Sequence, residues 1–321
     1  MRMRTAAAAA VTMSLIATVT ACSGAKSDAG DSAGPSAGAK GTVNLAVNPW
    51  VGYEADAAVV AYLLEHKLGY QVEKKELKEE ISWQGFQTGE VDAILENWGH
   101  DDLKKTYIRD KKVAVEAGPT GNKGVIGWYV PQWMADQYPD ITDWKNLNKY
   151  AGLFKTSESK GKGQLLDGDP SYVTNDEALV KNLKLDYTVV YSGSEAALIK
   201  AAQQATAQKK PLLFYFYEPQ WLFAKEKYVR VKLPAYTAGC DADPKKVACD
   251  YPDYDLDKIV SKKFADTNNT AYQLIKNFHW TNDDQNVVSG YLTSGMDAGK
   301  AAEKWVTEHE STWKPWIPAG S

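Results

Sequence analysis

Aromatic residues follow predicted strands or lie in the loops between predicted strands and helices. The rings that share this position are Trp50, Tyr53, Trp98, Tyr172 and Tyr217. Because the carboxyl ends of parallel strands line the ligand crevice of α/β proteins, we expect rings at these positions to face a ligand. The chain has 11 Trp and 18 Tyr but only 7 Phe, so aromatic residues with a polar edge are favoured over the purely apolar one.

A set of aromatic faces suits a quaternary ammonium group. Such a group has no N–H to donate, so a hydrogen-bond acceptor cannot bind it specifically, and its charge is spread over apolar methyl groups. Aromatic rings contact the methyl groups and attract the cation through the ring quadrupole, with about 2 kcal/mol for each desolvated contact. Three or four rings would contribute about 6–8 kcal/mol before ordering costs, close to the ~8 kcal/mol of a micromolar complex.

Polar residues near the same loops do not decide whether the other end of the ligand carries a carboxylate. Candidate donors for a ligand carboxylate are Asn48, Asn97, His100, the backbone N–H groups of 168–173 and the helix start near Asn175. Acidic residues in or beside these loops are Glu96, Asp101, Asp102 and Glu218. Donors and a helix N-terminus favour an anionic group on the ligand, whereas the acidic residues favour a cation without one, such as choline.

The motifs searched for give no evidence of catalysis. The four histidines belong to no H-E-x-x-H or similar metal pattern, and the sequence contains no G-x-S-x-G, Walker or G-x-G-x-x-G motif. We therefore expect no enzyme activity, no cofactor and no metal. The net charge of −4 and the absence of a basic run argue against nucleic acid as a partner.

The N-terminal residues have the features of an export signal. Arg2 and Arg4 precede an apolar run over about 6–19, which is too short for a comfortable membrane span. The run ends in Val-Thr-Ala-Cys, which resembles a bacterial lipobox. We therefore predict a signal peptide over 1–21 and a lipidated Cys22, which would anchor the protein to the outer face of the cell membrane. Residues 22–41, rich in Ser, Gly, Ala and Asp, are predicted to be a flexible linker.

The two remaining cysteines lie nine positions apart in a segment rich in Asp, Pro and Lys. In an oxidising compartment, Cys240 and Cys249 are expected to form a disulfide that closes a surface loop.

Strands and helices alternate along the body of the chain, which predicts an α/β fold with a largely parallel sheet. Predicted strands are 42–47, 70–75, 91–95, 124–130, 211–217 and 229–233. Predicted helices are 54–67, 82–88, 195–207 and 218–225, followed by 256–263, 266–277, 281–294 and 297–310. Two α/β modules and a helical tail suggest two lobes with a cleft between them. We expect 42–128 plus 237–321 in the first lobe and 129–236 in the second.

Three segments resemble those of a known family, over about 42–317. They are SWQGFQTGEVDAILENWGHD at 82–101, DPSY at 169–172 and FYFYEP at 214–219. They are similar to the glycine betaine and proline betaine binding proteins of osmoprotectant ABC importers. The resemblance implies a type II periplasmic-binding-protein fold, with an aromatic box at Trp98, Tyr172 and Tyr217. Tyr215 or Trp221 could face the cleft in place of Tyr217. The resemblance also suggests an aromatic contact from Trp50 or Tyr53, and a role for His100 at the ligand carboxylate.

The favoured hypothesis is a monomeric binding lipoprotein that delivers glycine betaine to an ABC permease. Proline betaine, carnitine and choline remain alternative ligands, and a sensor-coupled binding protein without an importer remains an alternative role. A secreted carbohydrate-active enzyme would also use Trp and Tyr platforms. That alternative requires two essential carboxylates facing each other across the cleft.

Overall fold

The computed structural model describes residues 40–321. The predicted signal peptide, Cys22 and the predicted linker up to residue 39 lie outside the described residues. Among the residues described, no helix combines the length and the apolar character needed to cross a bilayer.

The described residues form nine strands and twelve α-helices. The strands are β1 (Thr42–Val47), β2 (Gln71–Glu76), β3 (Ala93–Asn97), β4 (Ala114–Pro131), β5 (Gly163–Asp167), β6 (Tyr187–Tyr191), β7 (Phe214–Glu218), β8 (Tyr228–Arg230) and β9 (Asp253–Ser261). The helices are α1 (Val51–His66), α2 (Glu79–Thr88), α3 (Asp101–Leu103), α4 (Gln132–Gln137), α5 (Leu147–Tyr150), α6 (Asp176–Asn182), α7 (Glu195–Gln208), α8 (Lys262–Thr267), α9 (Thr270–Asn277), α10 (Asn282–Thr293), α11 (Ala298–Glu308) and α12 (Glu310–Trp313).

The strands pair in the order β2-β1-β3-β9-β4-β7-β5-β6, with β8 on β4. Strand β1 is parallel to β2 and β3, and β5 is parallel to β6 and β7. Strands β4 and β9 lie between these two sets and are antiparallel to each other and to their outer neighbours, β7 and β3. The α/β prediction is confirmed, and the parallel pairing is confined to the two outer sets.

Helix α1 places the first aromatic residue of the site. It packs against the strands on one side and against α10 and α11 on the other, so residues around its whole circumference are buried. Its first residue, Val51, directly follows Trp50. Gly69, with a φ of 74°, lets the chain turn from the end of the helix into β2. The helix therefore fixes the backbone of Trp50 at the end of β1.

The sequence predicts only the last part of β4. Residues 118–122, Gly-Pro-Thr-Gly-Asn, have the composition of a turn. In the structure they lie within the strand, where Gly118 and Gly121 have positive φ angles of 91° and 95°. The pairing with β9 shifts register on both sides of Pro119. The strand thus continues through irregularities of the β-bulge type.

The predicted helix over 256–263 is wrong, because these residues belong to β9 and to the start of α8. Aspartate occupies every second position from 253 to 257, which is the period of a strand rather than of a helix. The predicted helix over 266–277 is divided between α8 and α9. The predicted helix over 218–225 is only a 3-10 turn at Trp221–Ala224.

Cys240 and Cys249 lie in the loop before β9, and their sulfur atoms are bonded at 1.95 Å. The bond closes a loop with a sequence separation of 9.

Candidate functional site

A pocket opens among the strand ends and loops. It has about 420 Å³ of empty space, part of which is open to solvent. The lining residues are Trp50, Glu79, Trp98, His100, Ile126, Tyr172, Val173, Tyr215, Tyr217 and Tyr254. Six of the ten carry aromatic rings of Trp or Tyr, and none is Lys or Arg.

Trp98, directly after β3, forms one wall of the pocket. Its ring meets Tyr217 edge to face, with 5.6 Å between centroids and 84° between planes. Tyr254 of β9 meets the same indole at 5.6 Å and 65°. The indole lies close over Gly124 of β4, where a Cβ atom would come within 2.5 Å of the Trp98 ring. The glycine is therefore needed for the position of the indole.

Trp50 and Tyr172 form a second wall. Their centroids are 5.8 Å apart and their planes are at 85°. The Tyr172 hydroxyl donates to the carbonyl oxygen of Pro49 at 2.9 Å, which ties the loop after β5 to the loop before α1. Tyr172 also lies over Gly168, where a Cβ atom would come within 2.7 Å of its ring.

Strand β7 contributes two rings from one face. Tyr215 and Tyr217 are two residues apart and therefore point the same way, with centroids 6.4 Å apart. Tyr215 also meets Tyr172 at 6.3 Å. The hydroxyl of Tyr217 donates to the carboxylate of Glu195, the first residue of α7.

Glu195 joins α7 to the start of α1. Its Oε2 accepts the backbone N–H of Val51 at 2.8 Å, and its Oε1 accepts from Gln220 Nε2 at 2.7 Å. Burial raises the pKa of Glu195, and these donors together with Tyr217 oppose that rise. Glu195 thus holds Tyr217 and the N-terminus of α1 together beside the pocket.

Glu96 lies behind the two tryptophans. Its Oε1 accepts the indole N–H of Trp50 at 2.8 Å and that of Trp98 at 2.7 Å. Its Oε2 accepts from Gln285 Nε2 at 2.5 Å. Burial raises the pKa of Glu96, and these donors oppose the rise.

His100 and Glu79 are the polar residues of the lining. His100 Nε2 lies 2.9 Å from Glu79 Oε1, and both side chains are about one-tenth exposed. Burial lowers the pKa of His100, but the hydrogen bond and the charge of Glu79 more than offset this, so the pKa lies above its ordinary value. The protonated form of His100 is therefore favoured.

The structure brings five of the seven residues predicted to contact the ligand into one pocket lining: Trp50, Trp98, His100, Tyr172 and Tyr217. The other two lie elsewhere. Tyr53 is fully buried behind Trp50, and its hydroxyl accepts from the backbone N–H of Leu95. Asn48 donates its side-chain amide to Leu77 O and Ser82 Oγ, so it holds the start of α2 instead. Neither residue lines the pocket.

Several groups considered as carboxylate donors already have partners. The Asn97 amide donates to Gly99 O and Asp257 Oδ1. The backbone N–H of Asn175 donates to the Tyr251 hydroxyl. In the loop after β5, the N–H groups of Gly168, Ser171 and Tyr172 donate to the Asp167 side chain, the Asp169 side chain and the Asp169 carbonyl. Of the predicted side-chain donors, only His100 lines the pocket.

Two residues of the lining that bear on recognition were not predicted, and a third was considered only as an alternative. Tyr254 lies on β9, next to the segment that was predicted as a helix. Tyr215 was considered in place of Tyr217, but the alternation in Phe-Tyr-Phe-Tyr puts both on one face of the strand, and both line the pocket. Glu79 begins α2, three residues before the predicted start of that helix. Over residues 40–321, no cluster of His, Cys, Asp and Glu is arranged to hold a metal ion.

Two parallel sets of strands, joined by antiparallel strands and enclosing a pocket of aromatic residues, define a solute-binding protein of the two-lobed periplasmic type. Residues 41–308 match the family described as the substrate binding domain of ABC-type glycine betaine transport systems. The chain belongs to this family. Its members are extracytoplasmic binding proteins that serve transporters and are not enzymes.

Relatives are similar to this chain over most of its length, and solved structures share its fold. The trimethylamine N-oxide-binding protein of Pelagibacter ubique is 24% identical over 286 residues, which cover 86% of this chain and 90% of that protein. The glycine betaine/proline betaine-binding periplasmic protein of Salmonella typhimurium is 25% identical over 275 residues, covering 78% and 82%. Lactococcal OpuAC in its closed, glycine betaine-bound form superposes with a TM-score of 0.67 at 22% identity, covering 87% of this chain and 100% of that chain. A choline-binding protein in complex with choline gives 0.68 at 19% identity, covering 86% and 91%.

Proposed function

We propose that this chain is the extracytoplasmic binding lipoprotein of an ABC importer and that it captures glycine betaine in the aromatic pocket. The observation that carries the proposal is the composition of the lining, with six aromatic rings and no Lys or Arg. A trimethylammonium group needs apolar, electron-rich surfaces, and His100, the basic residue of this lining, is paired with Glu79.

Trp98, Tyr217 and Tyr254 would surround the cation on one side, and Trp50, Tyr172 and Tyr215 on the other. The edge-to-face pairs hold neighbouring rings at steep angles, so that together they form a concave surface instead of a flat stack. With about 2 kcal/mol for each desolvated contact, three or four of these rings would contribute about 6–8 kcal/mol before ordering costs, close to the ~8 kcal/mol of a micromolar complex.

His100 is the residue that we assign to the ligand carboxylate. It lines the pocket, and Glu79 favours its protonated form. An imidazolium in this place can donate to an anionic oxygen while it remains paired with Glu79.

Choline is the second candidate ligand, and the same lining favours it. Glu79 provides a carboxylate in the pocket, and many of the donors expected for a ligand carboxylate are engaged within the protein. A choline hydroxyl could donate to Glu79 without needing His100.

The remaining features of the proposal come from the sequence. We propose cleavage after residue 21, lipidation of Cys22 and a monomeric protein that meets a permease with both lobes. The proposed lobes are 42–128 with 237–321, and 129–236, with the aromatic pocket between them.

Calorimetric titration with glycine betaine and with choline tests the proposal. Trp98→Ala is expected to weaken binding by at least tenfold, about 1.4 kcal/mol. Trp144→Ala, which removes a half-buried tryptophan outside the pocket, is the matched control and should bind like the wild type. A wild-type protein that binds neither compound would refute the proposal. Binding of choline alone would keep the site and change the ligand.

A further inference from the structure

Both indole N–H groups of the pocket donate hydrogen bonds to a single oxygen atom. Oε1 of Glu96 lies 2.8 Å from Trp50 Nε1 and 2.7 Å from Trp98 Nε1. Glu96 is only 2% exposed and is absent from the pocket lining. It therefore stands behind both tryptophan walls and cannot itself contact the ligand.

The carboxylate is held from behind by a chain of amides. Glu96 Oε2 accepts from Gln285 Nε2 at 2.5 Å, and Gln285 Oε1 accepts from Asn122 Nδ2 at 2.8 Å. The direction of these bonds is consistent throughout, since each amide donates toward Glu96. Three N–H donors thus converge on the Glu96 side chain.

A second buried carboxyl group, Asp56, lies beside Glu96. Among the described residues its oxygens have no hydrogen-bond partner that donates to them. Burial, followed by the charge of Glu96, raises the pKa of Asp56 well above its ordinary value. A carboxylate that accepts several N–H bonds is favoured in its ionised form over one that accepts fewer. Of the two groups, Asp56 is therefore favoured in its protonated form and Glu96 is favoured as the carboxylate.

The charge of Glu96 is not neutralised by a nearby base. Within residues 40–321, no Lys, Arg or His forms an ion pair with it. Lys258, a buried base whose charge acts on Asp56, donates to the backbone carbonyls of Lys276 and Phe278. The indole N–H groups carry the effect of the carboxylate toward the pocket.

We propose that Glu96 is a positioning and specificity-determining residue, which fixes both indoles and makes the pocket prefer a trimethylammonium cation over an uncharged group of the same shape. An N–H donated to a carboxylate increases the electron density of the indole ring, which strengthens its attraction for a cation. The carboxylate also attracts the cation through the layer of the two indoles, from which water is excluded and in which electrostatic interactions are stronger than in water. This inference rests on the proposed quaternary-ammonium site.

Ligand pairs that differ only in the charged atom test the inference. They are choline with neohexyl alcohol, and glycine betaine with tert-butylacetate, in which carbon replaces the quaternary nitrogen. Affinities for the full protein are measured by calorimetry, with competition for the weaker analogues. Glu96→Gln keeps an oxygen for the two indoles but removes the charge. We expect the cation to bind at least tenfold more weakly, about 1.4 kcal/mol, and the carbon analogue to change less than about threefold.

Asp56→Asn is the matched control. It also introduces a buried amide at this place, but it replaces a group that is already uncharged. Both ligands should bind it within about threefold of the wild type. The assignment would be overturned if Glu96→Gln weakened the cation and the analogue equally, or weakened neither. It would also be overturned if Asp56→Asn lost the preference for the cation to the same extent.

Glu96→Asp tests the fixing of the indoles separately and does not depend on Glu96→Gln being folded. It keeps the charge but shortens the side chain by one methylene, which moves the oxygen away from the two N–H groups. Both members of each pair should weaken by a similar factor, about tenfold. Unchanged affinities in this variant would overturn the positioning role.

If wild-type protein binds neither cation, the proposed function fails. If it binds one and the variants leave the preference intact, only this inference fails.

Discussion

Tyr172 donates its hydroxyl hydrogen to the carbonyl oxygen of Pro49 at 2.9 Å, across 123 positions of sequence. The two residues belong to loops that follow different parallel strands, β5 and β1. The bond holds the Tyr172 ring at right angles to Trp50 and so completes one wall of the pocket.

Tyr172→Phe should retain the ring and lose this bond. A single neutral hydrogen bond contributes about 1 kcal/mol, so we expect ligand affinity to fall about fivefold, with a small change in melting temperature. Calorimetry measures the affinity. Tyr191→Phe, which removes an exposed hydroxyl bonded to Glu177, is the control and should bind normally. Unaltered affinity in Tyr172→Phe would mean that packing alone positions the ring.

Gly124→Ala should disturb Trp98 without straining the backbone. A Cβ atom at this position would lie 2.5 Å from Trp98 Cζ3 and 3.0 Å from Leu256 Cδ2. The indole must move, so we expect ligand affinity to fall at least tenfold. Overpacking of this kind also lowers the free energy of unfolding by about 1–3 kcal/mol.

Gly152→Ala is the matched control for this substitution, because a Cβ atom there would meet no atom within 4 Å. Its ligand affinity and its denaturation midpoint should equal those of the wild type. A Gly124→Ala protein that binds like Gly152→Ala would show that Trp98 can shift without consequence for the ligand.

The sequence was sufficient for the fold class and for most of the aromatic rings of the pocket. Trp50, Trp98 and Tyr217 could be located because each follows or ends a strand, and the ends of parallel strands converge. The rule fails for Tyr254, which lies on the antiparallel strand β9. The alternating aspartates of β9 indicate a strand, but a helix was predicted from residue 256 onward and no element was predicted at Tyr254.

The residues behind the walls could not be found in the same way. Glu96 meets Trp50 across 46 positions and Gln285 across 189, and Glu195 meets Val51 across 144. Such contacts arise from tertiary packing and leave no local pattern in the sequence. The same holds for Asn48, whose position in a strand-end loop suggested a ligand contact, although its amide donates to Leu77 O and to Ser82 Oγ of α2.

His100→Gln should distinguish the two candidate ligands. If His100 donates to a carboxylate, the variant loses about tenfold in affinity for glycine betaine and less than about threefold for choline. Because the pKa of His100 is raised, its imidazolium persists above the pH at which a free histidine deprotonates. Wild-type affinity for glycine betaine should therefore fall as the pH rises through that raised pKa, while affinity for choline stays level.

His66→Gln, which changes an exposed histidine on α1, is the control for both measurements. It should leave the affinities and their pH dependence unchanged. An equal loss for the two ligands in His100→Gln would assign the residue to the shape of the pocket and remove it from carboxylate recognition.

Lys258 should make the stability of the protein depend on pH in the alkaline range. Burial lowers the pKa of Lys258 from 10.5 to about 7. Between these values the unfolded chain binds the proton that the folded protein has released, so the free energy of unfolding rises as the pH increases from about 7 to 10.5.

Chemical denaturation of Lys258→Met across this range should show a flatter dependence of the free energy of unfolding on pH than the wild type. Lys262→Met, at an exposed lysine paired with Asp266, is the control and should retain the wild-type slope. A wild-type slope in Lys258→Met would show that Lys258 remains charged in the folded protein, because its Nζ donates to the carbonyls of Lys276 and Phe278 and these bonds would then compensate for burial.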